Sequence, residues 1–210
     1  MRNDDPNEVF VFPLRGLVFF PTTTLPLNIF EPRYIRMVRD AVEQERLIAV
    51  SPLDPLDRRA EDHHPSELIV GAGKVQILEE RPDGTMLVAI RGSARLGLGE
   101  LTAREPYIRA LSRPAPVDAR LSPDASVRLA HVRKRLVAWM EANLANVEWR
   151  ERFAAGVHDP LTILEHAALY LIEDGEIRQL LQELDDLESR VKLLDARILG
   201  TYATGSAEVN

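Results

Sequence analysis

Gly71-Ala-Gly73-Lys74 is the stretch of this sequence nearest to a phosphate-binding loop, and the five histidines, His63, His64, His131, His158 and His166, are its candidates for metal or proton chemistry. A phosphate loop needs a glycine five residues before the Gly-Lys pair and Ser or Thr directly after the lysine. Leu68 and Val75 occupy those places, so the reading is a bend or bulge in a strand. Asp62-His63-His64 offers oxygen and nitrogen donors but no third ligand at a recognisable spacing, and a solvated loop accounts for it better. The sequence holds no HExxH and no His pair at i,i+4. His158 beside Asp159 reads as helix-end chemistry rather than half of a dyad. None of the eight serines lies in G-x-S-x-G: Gly92-Ser93 and Gly205-Ser206 each lack the second glycine. Three lysines, Lys74, Lys134 and Lys192, carry no local signature of a Ser-Lys dyad. No catalytic residue, metal or cofactor is expected.

One basic cluster, Arg128, His131, Arg133, Lys134 and Arg135, suits nucleic acid or an acidic partner. Its charges lie off the apolar stripe of Leu129, Val132, Leu136 and Trp139, as the solvated face of an amphipathic helix requires. The whole chain has 26 basic and 33 acidic residues, a net charge of −7, which is the wrong sign for a phosphate-binding polyelectrolyte. With 210 residues, 45% hydrophobic and 28% charged, the composition is that of a soluble globular chain of one or two domains. Zero cysteines exclude a disulfide scaffold, a thiolate nucleophile and Cys-ligated metal, and fit a reducing compartment. No run approaches the roughly 18 apolar residues of a membrane span. Met1 to Glu8 is polar and acidic where a signal peptide is basic and then apolar, so no membrane association and a cytoplasmic location are expected.

The elements fall into two kinds. Residues 1–118 give about seven short strands and one helix: Val9–Pro13, Leu25–Phe30, Leu47–Ser51, Leu68–Leu78, Met86–Arg91, Ala94–Leu101 and Tyr107–Leu111. Asp83-Gly84 is the hairpin cue, and Asp54 to Pro65 reads as a solvated loop. Glu31-Pro32 opens the helix, with Ile35, Val38 and Val42 on its buried face. Beyond Arg113-Pro-Ala-Pro-Val117 the apolar period changes from 2 to 3.6, so residues 119–210 form an α-helical subdomain. Ser122-Pro and Asp159-Pro160 start helices, and Gly156 and Gly175 read as stops. Leu180, Leu184, Leu187, Val191, Leu194 and Ile198 form an a/d stripe, read as two helices end to end with Asp185 and Glu188 as a capping pair, or as one continuous helix. The stripe suits either an internal bundle or a homo-oligomer. Thr201 to Asn210 is expected to fray.

Six of the twelve aromatic residues lie between Phe10 and Tyr34. Phe19 and Phe20 are core residues in one reading. In the other the loop is exposed, and Phe19 and Phe20, with Pro21 and Leu25, form a protein-binding surface. The order Phe12-Pro-Leu14, Phe20-Pro21 and Leu25-Pro-Leu-Asn-Ile-Phe-Glu-Pro-Arg-Tyr34 resembles the opening of the LON domain, the N-terminal domain of Lon proteases. Val70-Gly71 with Val75, the Arg81-Pro-Asp-Gly84 turn, Val88 to Gly92 followed by Arg95, and Pro106-Tyr107 continue the likeness, as does Leu184 to Val191. Thr22-Thr-Thr24 departs from it, replacing a glycine-containing turn. The resemblance implies an α+β fold with a PUA-like β-rich subdomain followed by an α-helical bundle. It implies a non-catalytic module that recognises unfolded or partly folded polypeptides or a protein partner, and a stand-alone LON-domain protein without the ATPase and peptidase domains. Within the matching block Pro26, Phe30, Glu31, Pro32, Arg33 and Tyr34 read as structural, Glu31 suiting the helix N-terminus and a pair with Arg33 or a neighbour as well as it suits a ligand contact. The alternative is RNA binding through a PUA-like sheet, which the net charge opposes.

Overall fold

Alternating apolar residues in the first half and a 3.6-residue period in the second lead to two units, dividing between Ala115 and Pro116. The computed structural model describes residues 7–55 and 68–205. Asp62, His63 and His64 lie outside the described residues.

The first unit holds β1 (Glu8–Pro13), β2 (Thr24–Ile29), α1 (Pro32–Glu43), β3 (Ile48–Ser51), β4 (Leu68–Glu80), β5 (Met86–Ala103) and β6 (Ile108–Pro114). The strand order is β2-β5-β4-β3-β1-β6, and β5 also pairs with β6, so five strands close into a barrel. β1 and β3 are parallel, and every other pair is antiparallel. Among the described residues six strands stand where seven are expected, because Met86–Arg91 and Ala94–Leu101 are one continuous strand. Its first half pairs with β2 and its second with β6.

β4 serves two apolar clusters with one alternating pattern. Leu68, Val70 and Ala72 pack with Val9, Val11 and Leu96. Between Ala72 and Gly73 the partner steps from Ala94 to Gly92, so the extra residue, Ser93, lies in β5 and β4 keeps its alternation, even positions to one face and odd to the other. Val75 and Ile77 then join the second cluster, with Phe10, Phe12, Val88 and the buried side of α1. Gly71-Ala-Gly73-Lys74 is therefore strand, lying opposite a bulge in β5. In the β4–β5 turn, Gly84 takes φ +85°, a left-handed geometry that favours glycine. The Asp83 carboxylate accepts from the Thr85 amide at 3.0 Å and hydroxyl at 2.8 Å, which lowers its pKa.

Glu31 is the N-cap residue of α1, but its carboxylate bonds to Arg33 at 2.9 Å instead of capping an amide. The buried side is Tyr34, Met37, Val38 and Ala41, and Val42 is exposed. The stripe is rotated from Ile35/Val38/Val42 because Tyr34 and Met37 are the bulky residues that fill the space over Phe10 and Phe12. Tyr107 donates to Asp40 at 2.7 Å, and burial together with that carboxylate raises its pKa.

The second unit consists of α2 (Pro123–Asn143), α3 (Val147–Gly156), α4 (Pro160–Leu171), α5 (Gly175–Glu183) and α6 (Leu187–Gly205). Side-chain caps fix the starts: Ser122 accepts from Ala125 N–H at 3.2 Å and Asp159 from Thr162 N–H at 3.0 Å. The a/d stripe is indeed split into two helices. The cap at the break is Asp186, accepting from Ser189 N–H at 2.7 Å, one residue after the expected Asp185. Gly175 opens α5 behind its Asp174 cap, correcting its reading as a stop, and α6 continues through Gly205 where fraying is expected from Thr201. Arg128 joins Asp124 at 2.8 Å and Asp195 at 3.2 Å, and Arg133 donates to Val157 O at 3.3 Å. Arg128 and Arg133 of the basic cluster are thus tied into the fold.

His166 packs near the rings of Phe153 at 5.4 Å and Tyr170 at 6.2 Å. Burial, the dominant cause, lowers its pKa below 6.5. A depressed histidine is neutral in the fold and charges more readily in the unfolded chain. Its contribution is therefore intact above the unfolded pKa of about 6.5 and declines as pH falls below it. His166→Phe should flatten the fall in Tm between pH 7 and 5.5, measured by thermal unfolding. An unchanged pH profile would contradict this assignment.

Candidate functional site

The region expected to bind protein lies mostly inside the first unit. Phe19 and Phe20 are 3% and 1% exposed, which removes them as contact residues and corrects the exposed-loop reading. Their loop is held by Thr23, whose amide and hydroxyl both donate to Phe20 O, at 3.0 and 2.7 Å. Pro21 is half-buried, and Leu25 packs with Leu27 at the rim of the cluster beneath α1. Of the matching block, Tyr34 is core, with the Arg33 guanidinium 4.5 Å from its ring centroid. Pro32 starts α1. Pro26 is exposed, and Phe30, read from sequence as structural, is 69% exposed.

Strand alternation explains why. In β2, Leu25, Leu27 and Ile29 turn toward the core, leaving Thr24, Pro26 and Asn28 on the outer face. Across the β2–β5 pair, Pro26 lies beside Ala89 and Asn28 beside Leu87. Leu87 in turn pairs with Glu79 of β4 across the second register shift, which spans Ile77 to Glu79. Leu78 sits in that shift and is 50% exposed. Phe30, Leu78, Leu87 and Pro26 thus belong to one end of three adjacent strands, about 10 Å across.

The charges around this end are matched with one another. Arg81 lies 3.6 Å from Glu79 and reaches Asn28 Oδ1 at 3.2 Å. Arg39 lies 3.1 Å from Glu80, and Arg33 pairs with Glu31. What remains is apolar area with a polar, internally paired rim, the anatomy of a protein-contact patch. Sequence reasoning missed Leu78 and Leu87 because a bulge, invisible in the pattern, decides which way Leu78 points. Phe30 was legible in principle, as the next residue in register after the inward Ile29.

Among the described residues no cluster of three or more His, Cys, Asp or Glu is placed to hold a metal ion, and no helix is long and apolar enough to cross a membrane. A cleft of about 490 Å³ lies within the helical unit between Trp139, Tyr170 and Ile198. Its Trp139 and Tyr170 rings stack at 4.6 Å.

Among the described residues, a small β-barrel with an exposed apolar strand end is followed in the chain by five helices. Residues 8–195 match the family described as the ATP-dependent protease La (LON) substrate-binding domain, and the chain belongs to that family. It is 33% identical over 113 residues to Lon protease 1 of Herpetosiphon aurantiacus, covering 53% of this chain and 14% of that protein. It is 25% identical over 199 residues to Lon protease 1 of Thermus thermophilus, covering 91% and 24%. The chain therefore spans a quarter or less of these curated relatives. Among solved structures, the N-terminal domain of a Mycobacterium avium complex Lon protease shares the fold with a TM-score of 0.66 and 18% identity, covering 89% of this chain and 95% of that one. A Lon N-terminal domain protein from Xanthomonas campestris gives 0.61 and 19%, covering 90% and 97%.

Proposed function

We propose that this chain recognises unfolded or partly folded polypeptides through the apolar end of β2, β5 and β4, and performs no bond-breaking step itself. The observation that carries the reading is the exposure of Phe30 (69%) and Leu78 (50%) at one end of three adjacent strands, on a surface whose charges are already paired. Large exposed apolar groups gathered in one place favour contact with other apolar groups, and an unfolded chain supplies them without a fixed shape. Membership of a substrate-binding family supports polypeptide as the ligand. A zero cysteine count suits action in the cytoplasm.

The test is titration with a permanently unfolded, reduced and alkylated polypeptide beside its native form. Binding should favour the unfolded form and change little between about 50 and 500 mM salt, because apolar contact is weakly screened. RNA should not compete. Salt-sensitive binding displaced by RNA would replace this reading with the nucleic-acid one.

A further inference from the structure

β2 is an edge strand, and its hydrogen-bonding pattern can be read residue by residue. The Gly92 amide donates to Thr23 O at 2.9 Å, and Thr24 is the Cα partner of Arg91. Thr23 and Gly92 are therefore a hydrogen-bonded pair, and in an antiparallel ladder such pairs alternate with non-bonded ones. Leu25, Leu27 and Ile29 turn their backbone groups to β5. Thr24, Pro26 and Asn28 turn theirs away from it. Pro26 agrees with this phase, since a strand proline sits where its missing N–H would face the open side. No backbone bond to Thr24, Pro26 or Asn28 from outside the sheet occurs among the described residues, and all three are exposed.

Resting on the polypeptide-binding reading, we infer that an extended client segment adds to this edge as a further β-strand. The edge presents two donors, the amides of Thr24 and Asn28, and three acceptors, the carbonyls of Thr24, Pro26 and Asn28. Backbone pairing of this kind reads no side-chain sequence, which is what recognition of many unfolded clients demands. The side chains add a coarser preference. Leu25 and Leu27 stay partly exposed at the rim of the core, and client residues facing them lie on the same side of the sheet and cover them. Client residues that hydrogen-bond to β2 lie opposite Thr24, Pro26 and Asn28, and their side chains share the outer face. The favoured segment alternates apolar and polar residues, its polar residues bonding to the edge.

Pro26 also selects against a second copy of this chain. Two β2 edges paired with each other each contribute a proline, so the ladder loses two donors where a client strand meets only one. Proline on an edge strand is a known guard against edge-to-edge association.

The experiment compares a short peptide of alternating valine and threonine with two analogues, one N-methylated at the threonine amides and one at the valine amides, by titration into the 210-residue chain. Threonine methylation should weaken binding about a hundredfold, three lost hydrogen bonds at roughly a factor of five each. Valine methylation, on the edge facing solvent, should leave affinity unchanged, and the amides of Thr24 and Asn28 should gain exchange protection with the parent peptide. Equal behaviour of the two analogues, whether both bind or both fail while the parent binds, overturns strand addition and leaves side-chain recognition standing. If neither the parent peptide nor the permanently unfolded polypeptide binds, both readings fall.

Discussion

Gly71→Ala should destabilise the first unit by about 3 kcal/mol, the upper range for forcing extra volume into a packed site. A methyl group at residue 71 would lie 1.9 Å from Phe19 O, 2.8 Å from Phe19 C and 3.3 Å from the Phe19 ring. Two of those three neighbours are backbone atoms, which cannot swing aside as a flexible side chain does. The loop is also pinned on both flanks. Leu14 N–H donates to Ser51 O at 2.9 Å, and Thr23 closes onto Phe20. Both phenylalanines are core, so the loop cannot retreat without pulling aromatic area out of the interior. Gly99→Ala is the matched control within the same sheet, because the nearest neighbour of its new methyl is Leu111 O at an ordinary 3.5 Å. Chemical denaturation of the two variants should separate them clearly. Equal midpoints would mean the loop gives way, and the close approach would lose its structural meaning.

In the helical unit the largest effect should come from Arg190→Ala, at about 3–5 kcal/mol. Arg190 and Glu165 are each 2% exposed, with Nη1 and Oε1 3.8 Å apart. Arg190 also donates from Nε to Leu184 O at 2.9 Å and from Nη2 to Gln182 O at 3.2 Å. One side chain on α6 thus closes the end of α5 and balances a carboxylate of α4. Its removal leaves two carbonyls without these donors and Glu165 without this counterion, in an interior where solvation cannot compensate. The double variant Arg190→Met with Glu165→Leu should recover most of the loss, since it removes both charges and keeps apolar volume. Arg152→Ala supplies the scale for an exposed pair: its 2.7 Å contact with Glu148 is solvated and should contribute at most about 0.5 kcal/mol. Thermal unfolding of the three variants decides the point. A loss at Arg190 no larger than at Arg152 would show that the buried pair is not needed.

Much of this architecture was legible in the sequence, for local reasons. The change of apolar period beyond residue 117, the Ser122 and Asp159 caps and the Asp83-Gly84 turn each depend on a few neighbouring residues, and each sits as the pattern indicates. The LON resemblance rested on a contiguous block and is met by the family match. What pattern alone missed depends on distant partners. The rotation of α1 follows from Tyr34 and Met37 filling space over β1. The fusion of two strands into β5 is set by β2 on one half and β6 on the other. α3 went unread because none of its residues is buried, leaving no apolar stripe to find. The site suffered most. Phe19 and Phe20 admitted two readings, core and exposed loop, and the core reading holds because the loop folds onto Gly71 and buries them. Phe30 looked structural because it lies in the block that carries the resemblance, yet its ring faces out while Tyr34 of the same block is core.

The central claim is that the exposed end of β2, β5 and β4 holds unfolded polypeptide, and the direct measurement is the affinity of a permanently unfolded client for three proteins. These are the unaltered chain, a Phe30→Ser, Leu78→Ser double variant, and Trp149→Ser, which removes an equally exposed aromatic on α3. All three should keep the same Tm, because none of the substituted side chains is buried. The double variant should bind at least about tenfold more weakly, as loss of two apolar contacts of roughly 1 kcal/mol each requires, while Trp149→Ser binds as the unaltered chain does. Undiminished binding by the double variant, or a loss confined to Trp149→Ser, would contradict the account.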